Sequence, residues 1–278
     1  MADSKDRKVR WKGRDASETA LSSPMSGIYN AIKEWTPPSG IFADSSVLLL
    51  TNWEQAQLLN RACFGRPYPP ATAPPPSSAP AYPPPIPGFG DPEAKDGMQL
   101  FQLGLEEAFF LSHEMKCIQI YYQTSEGERV FLSDDELWRR MLKKRLHFPQ
   151  FYKAYSHLRS KRWVVTSGIQ FGADFMAYRH HPSLVHSDYA VLVMSGEEKA
   201  SRVSTWTDVH AMGRLCGSVA KTLLLMYVKR KDAAVDSTFP SCLEEFDVET
   251  VEVNRWLPEK NREADDKSQE NSDLKDTE

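Results

Sequence analysis

Residues 171–190 read FGADFMAYRHHPSLVHSDYA, and residues 214–221 read RLCGSVAK. Polar and apolar side chains alternate over 174–178 and again over 187–193, which predicts two strands. Between them residues 179–185 are polar and carry Pro182, the signature of a turn. A helix is predicted over 206–220, ending just ahead of Lys221, which opens the apolar strand 222–228. Tyr178 then stands at the end of one strand, His186 at the mouth of the next and Lys221 at the head of a third. Side chains from three separate segments can converge on one small volume.

A phenol, an imidazole and an ammonium are the groups needed to cleave RNA through its own 2′-hydroxyl without a metal. One takes the proton from the 2′-oxygen, one gives a proton to the departing 5′-oxygen, and one holds the charge that builds on the phosphorane. The chemistry assigns these roles to Tyr178 as base, His186 as acid and Lys221 as charge stabiliser. A free tyrosine is a poor base, because at a pKa of about 10 its ionisation at neutral pH costs about 4 kcal/mol. A neighbouring ammonium lowers that cost, so Lys221 is expected to serve twice. Imidazole as a side-chain type titrates near neutral pH without help. Each residue also has an ordinary reading: a strand-end tyrosine packs, a single histidine is hydrogen-bonded or solvated, and a lysine before a strand is solvated. Spacing alone does not choose between the two readings.

The longer segment 155–189, YSHLRSKRWVVTSGIQFGADFMAYRHHPSLVHSDY, taken with 214–221, resembles the catalytic domain of the tRNA-splicing endonucleases. The likeness runs through Tyr155, Leu158, Arg159, Trp163, Val165, Gly168, Phe171, Gly172, Asp174, Phe175, Tyr178, Pro182, His186, Tyr189, Arg214 and Lys221. It implies an α/β chain, a small α/β N-terminal domain followed by a restriction-endonuclease-like mixed-sheet nuclease domain. The family's catalytic tyrosine, histidine and lysine fall on Tyr178, His186 and Lys221. Its pair of residues that clasp a flipped base falls on Arg214 and resembles Trp256; facing one base, each would contribute about 1–3 kcal/mol by stacking. Trp256 could equally be a strand-end packing residue. Two positions depart from the family's pattern, both bearing on loop shape: Arg162 stands where glycine is usual, and His180-His181 where Lys-Gly is usual.

The resemblance further implies no cofactor and no metal, and a heterotetramer with a second catalytic subunit and two structural ones, acting on intron-containing pre-tRNA in the nucleus. Segment 167–178, the proline before His186 and Trp256 look most like the subunit type that cuts the 5′ splice site, leaving a 2′,3′-cyclic phosphate and a 5′-hydroxyl. The alternative within the family is a structural, RNA-binding subunit, since several members share the fold without the three side chains. Outside it, Asp174 with Glu197 and Lys199 has a spacing that could hold magnesium, although Glu197 and Lys199 fall in a polar loop.

At 278 residues the chain can hold two domains of about 100–150 residues. The formal charge of −4 hides an asymmetry: residues 139–231 carry 17 Lys or Arg against 5 Asp or Glu, a footprint suited to phosphates. Cys63, Cys117, Cys216 and Cys242 form no C-x-x-C pair and suggest buried thiols of a reducing compartment. The apolar runs are too short for a membrane segment.

Residues 1–25 are polar and basic and predict a disordered tail. An α/β domain is expected over 26–147: a helix at 27–35, a strand at 46–50, a helix at 53–63 capped by Thr51 and Glu54, then a proline-rich linker at 67–92. It continues with a strand at 98–104, a helix at 105–115, strands at 117–122 and 129–132, and a helix at 134–144 capped by Ser133 and Glu136. The catalytic domain is expected over 148–257, opening with a helix at 148–162 and closing with a strand at 248–256 that offers its edge to a partner. An acidic tail occupies 258–278.

Overall fold

The computed structural model describes residues 8–22, 24–68, 98–195, 203, 205–231 and 237–253. Helices α1 (Ala16–Ser22) and α2 (Met25–Glu34) precede a hairpin of β1 (Ser39–Ala43) and β2 (Ser46–Thr51). Helix α3 (Trp53–Ala62) is capped by Asn52 and Gln55, which exchange hydrogen bonds of 2.9 and 3.1 Å. The cap predicted at Thr51 and Glu54 is displaced by one residue because Thr51 belongs to β2 and its hydroxyl donates to Gln99 O. Strand β3 (Arg66–Pro67) lies at a sheet edge, where a proline is tolerated. Residues 69–97, most of the predicted linker, lie outside the described residues.

Strand β4 (Gln99–Leu103) leads into α4 (Leu105–Phe109), which widens into a π-helical turn over Phe110–Glu114. Lys116 then takes φ 52°, so β5 (Gln119–Gln123) begins two residues later than alternation suggests. Strand β6 (Arg129–Phe131) and α5 (Asp134–Lys144) follow, the latter with the predicted Ser133–Glu136 capping box. These strands form a sheet in the order β3-β4-β2-β1-β5-β6. Strand β1 escapes sequence reading because Ser39 and Gly40 dilute its apolar signal, although it pairs with both β2 and β5.

The second half holds α6 (Phe148–Ser160), β7 (Val164–Ser167), β8 (Phe175–Tyr178), β9 (Tyr189–Ser195), α7 (Trp206–Ser218), β10 (Thr222–Arg230) and β11 (Phe246–Val253). Its sheet runs β11-β10-β9-β8-β7; β9 and β10 are parallel and the other pairs antiparallel. This is the mixed α/β architecture expected. The central strands are apolar on both faces, as a doubly covered sheet requires. Phe175, Ala177, Val191 and Leu224 face α6, and their cluster continues through Phe109 and Trp138 to Leu49 and Ile120 of the first sheet. Met176, Leu192, Leu223 and Leu225 form a second cluster on the opposite face with Val209 and Cys216 of α7.

The composition of residues 1–25 predicts disorder, yet residues 8–22 are placed. Trp11 bridges Val185, and α1 buries Ala16 and Ala20. Val9 and Trp11 alternate with Lys8, Arg10 and Lys12, a strand pattern too short to stand out from the charge.

Helix α6 ends in a hydrogen-bonded left-handed cap: Arg162 N donates to Arg159 O at 2.9 Å and Trp163 N to Leu158 O at 3.1 Å. Arg162 has φ 65°, a conformation that costs a side-chain-bearing residue about 1 kcal/mol and glycine almost nothing. This accounts for the glycine usual in the family's pattern. The variant Arg162→Gly is expected to be more stable by about 0.5–1 kcal/mol, read as a higher urea midpoint with an unchanged slope.

Candidate active site

Three chain segments meet at one corner of the second sheet. Ala177 pairs with Tyr189 across β8 and β9, and Tyr189 pairs with Thr222 across β9 and β10. One step outward, Tyr178 and Lys221 therefore flank Asp188. Two backbone hydrogen bonds of 3.0 Å hold this register, Asp188 N to Ala177 O and Thr222 N to Asp188 O. With strands spaced about 4.8 Å apart, the backbones at 178 and 221 are about 10 Å apart, a gap that a phenol and an ammonium can narrow. Alternation sets their side. Tyr178 continues the row of Met176, and Lys221 that of Leu223 and Leu225; Met176, Tyr178, Leu223 and Leu225 belong to the cluster under α7. His186 lies two residues before Asp188 and is exposed.

The loop between β8 and β9 is held internally. Arg179 pairs with the buried Asp188 at 2.7 Å. Leu184 N and Val185 N both donate to His181 O, at 2.9 and 3.2 Å, while His181 N donates to His180 Nδ1 at 2.8 Å. The two histidines that depart from the family's pattern thus build this turn.

Burial raises the pKa of Tyr178, and the hydroxyls of Thr166 and Ser187 partly offset it. The expected help from Lys221 is not among the causes: the net shift is upward, so the phenol holds its proton more firmly than a free tyrosine. Lys221 moves the other way. Burial lowers its pKa, Cys216 opposes that, and the cations Arg10 and Lys12 add to it. Its backbone N donates to Cys216 O in the last turn of α7 at 2.8 Å, and its Nζ lies 4.0 Å from the centre of the Phe171 ring. Phe171 follows Gly168, where a Cβ would stand 2.8 Å from Ala173 O, so the turn that presents the ring requires glycine. In the sequence Phe171 stands only as one position of the family-like pattern. Its available signal was an aromatic beside Gly172 in a turn, here 43% exposed.

Of the other predicted residues, Arg214 is exposed on α7, and Trp256 lies outside the described residues. Strand β11 ends at Val253 against α7: a Cβ at Gly213, next to Arg214, would be 3.8 Å from Val253 Cγ1. Asp174 accepts a hydrogen bond from Val193 N at 2.9 Å and so braces β9, while Glu197 and Lys199 lie outside the described residues. Among the described residues no helix is long and apolar enough to cross a membrane.

Residues 148–236 match the tRNA intron endonuclease catalytic C-terminal domain, and residues 39–138 match the tRNA intron endonuclease N-terminal domain. The chain is similar to the tRNA-splicing endonuclease subunit Sen2-2 of Arabidopsis thaliana, 42% identical over 257 residues covering 91% of each chain. It is 41% identical to Sen2-1 of the same plant, over 91% of this chain and 97% of the relative. The likeness to the tRNA-splicing endonuclease subunit Sen2 of Mus musculus is 32% over 174 residues, 60% of this chain and 37% of that protein.

Since the Thr166 hydroxyl works against the upward shift of Tyr178, Thr166→Val is expected to raise the pKa of that phenol further. A titration of ring-labelled tyrosine by NMR, with Tyr178→Phe to assign the signal, reads the change; a downward shift contradicts the account.

Proposed function

The chain belongs to the tRNA intron endonuclease family, a tRNA endonuclease subunit, and from that premise we propose that it cuts pre-tRNA at the 5′ splice site by metal-independent attack of the 2′-hydroxyl. The observation that carries this reading is the strand register around Asp188, with Tyr178 and Lys221 on one face to either side and His186 two residues away. In the proposed reaction Tyr178 removes the 2′-proton, the 2′-oxygen attacks phosphorus, and His186 protonates the 5′-oxygen as its bond to phosphorus breaks. Lys221 stabilises the phosphorane. The products are a 2′,3′-cyclic phosphate and a 5′-hydroxyl. A phenolate of raised pKa is scarce at neutral pH but is the stronger base toward a weakly acidic hydroxyl.

The 5′-site assignment rests on the likeness of segment 167–178, the proline before His186 and Trp256 to that subunit type. A base clamp of Arg214 and Trp256 is supported by the approach of Val253 to the α7 backbone beside Arg214. Assembly as a heterotetramer with a second catalytic and two structural subunits is part of the same proposal. The edge position of β11, with Val251 41% exposed, supports strand pairing with one of them. Nuclear residence is proposed from the family's usual substrate and the basic N-terminus.

In the assembled complex, His186→Ala is expected to slow cutting by about 10²–10⁴-fold without loss of assembly, and wild-type cutting should persist in EDTA. End-group analysis of the cut pre-tRNA decides the chemistry: 3′-hydroxyl and 5′-phosphate ends, or full-rate cutting by His186→Ala at the 5′ site, would overturn it. At alkaline pH the rate should fall as Lys221 loses its proton, at a pH below that of an ordinary lysine because burial lowers its pKa. A single-turnover pH profile tests that limb.

A further inference from the structure

We propose that residues 9–12 are a working part of this active site, a strap that fixes the backbone of His186 and sets Arg10 and Lys12 against RNA phosphates beside the one that is cut. This rests on the nuclease reading above and extends it to a segment far from the catalytic domain in sequence.

The strap is built as an added strand. Trp11 pairs antiparallel with Val185, Lys12 N donates to Leu184 O at 2.9 Å, and His186 N donates to Arg10 O at 3.0 Å. The Arg10 guanidinium donates from Nη2 to Ser187 O at 2.5 Å. Val9 packs on the apolar cluster that carries Tyr178. The loop is therefore gripped on both sides of His186, whose own backbone N–H is satisfied by the strap. An exposed imidazole that must meet one oxygen of a substrate gains from such a grip, because positional freedom at its backbone would be carried straight to the ring.

The side chains add a second argument. Arg10 and Lys12 lie close enough to Lys221 to act on its proton affinity, and Lys12 acts on His181 in the same way. Among the described residues none of Arg10, Lys12 and Lys221 forms an ion pair with a carboxylate. A strap needed only for packing would be served by Val9, Trp11 and its backbone. Gathering like charges there is unfavourable in the empty protein and becomes favourable when an anion lies among them. A phosphodiester chain entering beside His186 supplies consecutive negative charges at that place.

The test uses the full chain assembled with its partner subunits. Binding is measured on a pre-tRNA with a 2′-deoxy nucleotide at the cut, which cannot react through a 2′-hydroxyl. The double variant Arg10→Gln, Lys12→Gln is expected to lower the slope of log affinity against log salt by about one to two, and Arg10→Lys to retain the wild-type slope. On the all-ribose substrate the double variant is expected to cut at least tenfold more slowly in a single turnover. An unchanged salt slope overturns the proposal whatever happens to the rate. A wild-type rate does so as well. Because binding is read without cutting, failure of the strap is separable from failure of the nuclease reading, which would appear as undiminished cutting by His186→Ala.

Discussion

Alongside the apolar core they share, the two halves of the molecule are tied together by a buried cation. Arg159, 4% exposed, donates to the Tyr155 hydroxyl at 2.9 Å, to Tyr29 hydroxyl and Ala62 O at 2.8 and 3.1 Å, and to Cys63 O and Val165 O at 2.8 and 3.0 Å. These partners come from α6, α2, the end of α3 and β7. Its guanidinium also lies 4.2 Å from the centre of the Phe64 ring. A charge this deep is tolerated only when its donors are met. Burial alone would lower its pKa, but Tyr155, Tyr29 and Glu107 together raise it, so the ion is held in charged form. Since β7 begins the catalytic sheet and pairs with β8 at Tyr178, the network fixes the N-terminal helices against the strand that borders the site.

From that anchor the two faces of the second sheet divide the work. The α6 face joins the continuous apolar core that spans both sheets, against which the Arg159 guanidinium packs. The α7 face is a smaller cluster, and its rim carries Tyr178 and Lys221. Burial acts on both in the direction that disfavours charge, raising the phenol and lowering the ammonium. Neither is ionised by the other in the empty protein. On the proposed reading, a phosphate arriving between them would favour the protonated lysine.

Strands were legible where burial on both faces or simple alternation wrote them into composition, as in β8, β9 and β10. Helix α5 was legible to the residue because its cap is a local chemical signature at Ser133 and Glu136. The misses share a different cause. The Thr51–Glu54 cap failed because strand pairing took Thr51. The helix from Leu105 widened into a π turn that no periodicity announces. The order of residues 8–22 came from bonds to Leu184, His186 and Ser187, partners too distant for any window of sequence to connect. At the proposed site, the placement of Tyr178 at the end of β8 and of Lys221 just ahead of β10 was readable. What each environment does to their protonation was not, since the shift of Tyr178 is set by its burial in the folded sheet and partly offset by Thr166 from the neighbouring strand.

The same contrast explains where the chain tolerates unfavourable arrangements. Caps at Asn52, Ser133 and Thr205 satisfy helix starts, and the Arg159 network satisfies the donors of the deepest guanidinium. The exceptions gather at the corner: a buried phenol of raised pKa, three cations drawn together, a lysine held over an aromatic face and an exposed histidine held by a distant strap. On the proposed function an anionic substrate would relieve the gathered positive charge, and rigid surroundings let such departures persist.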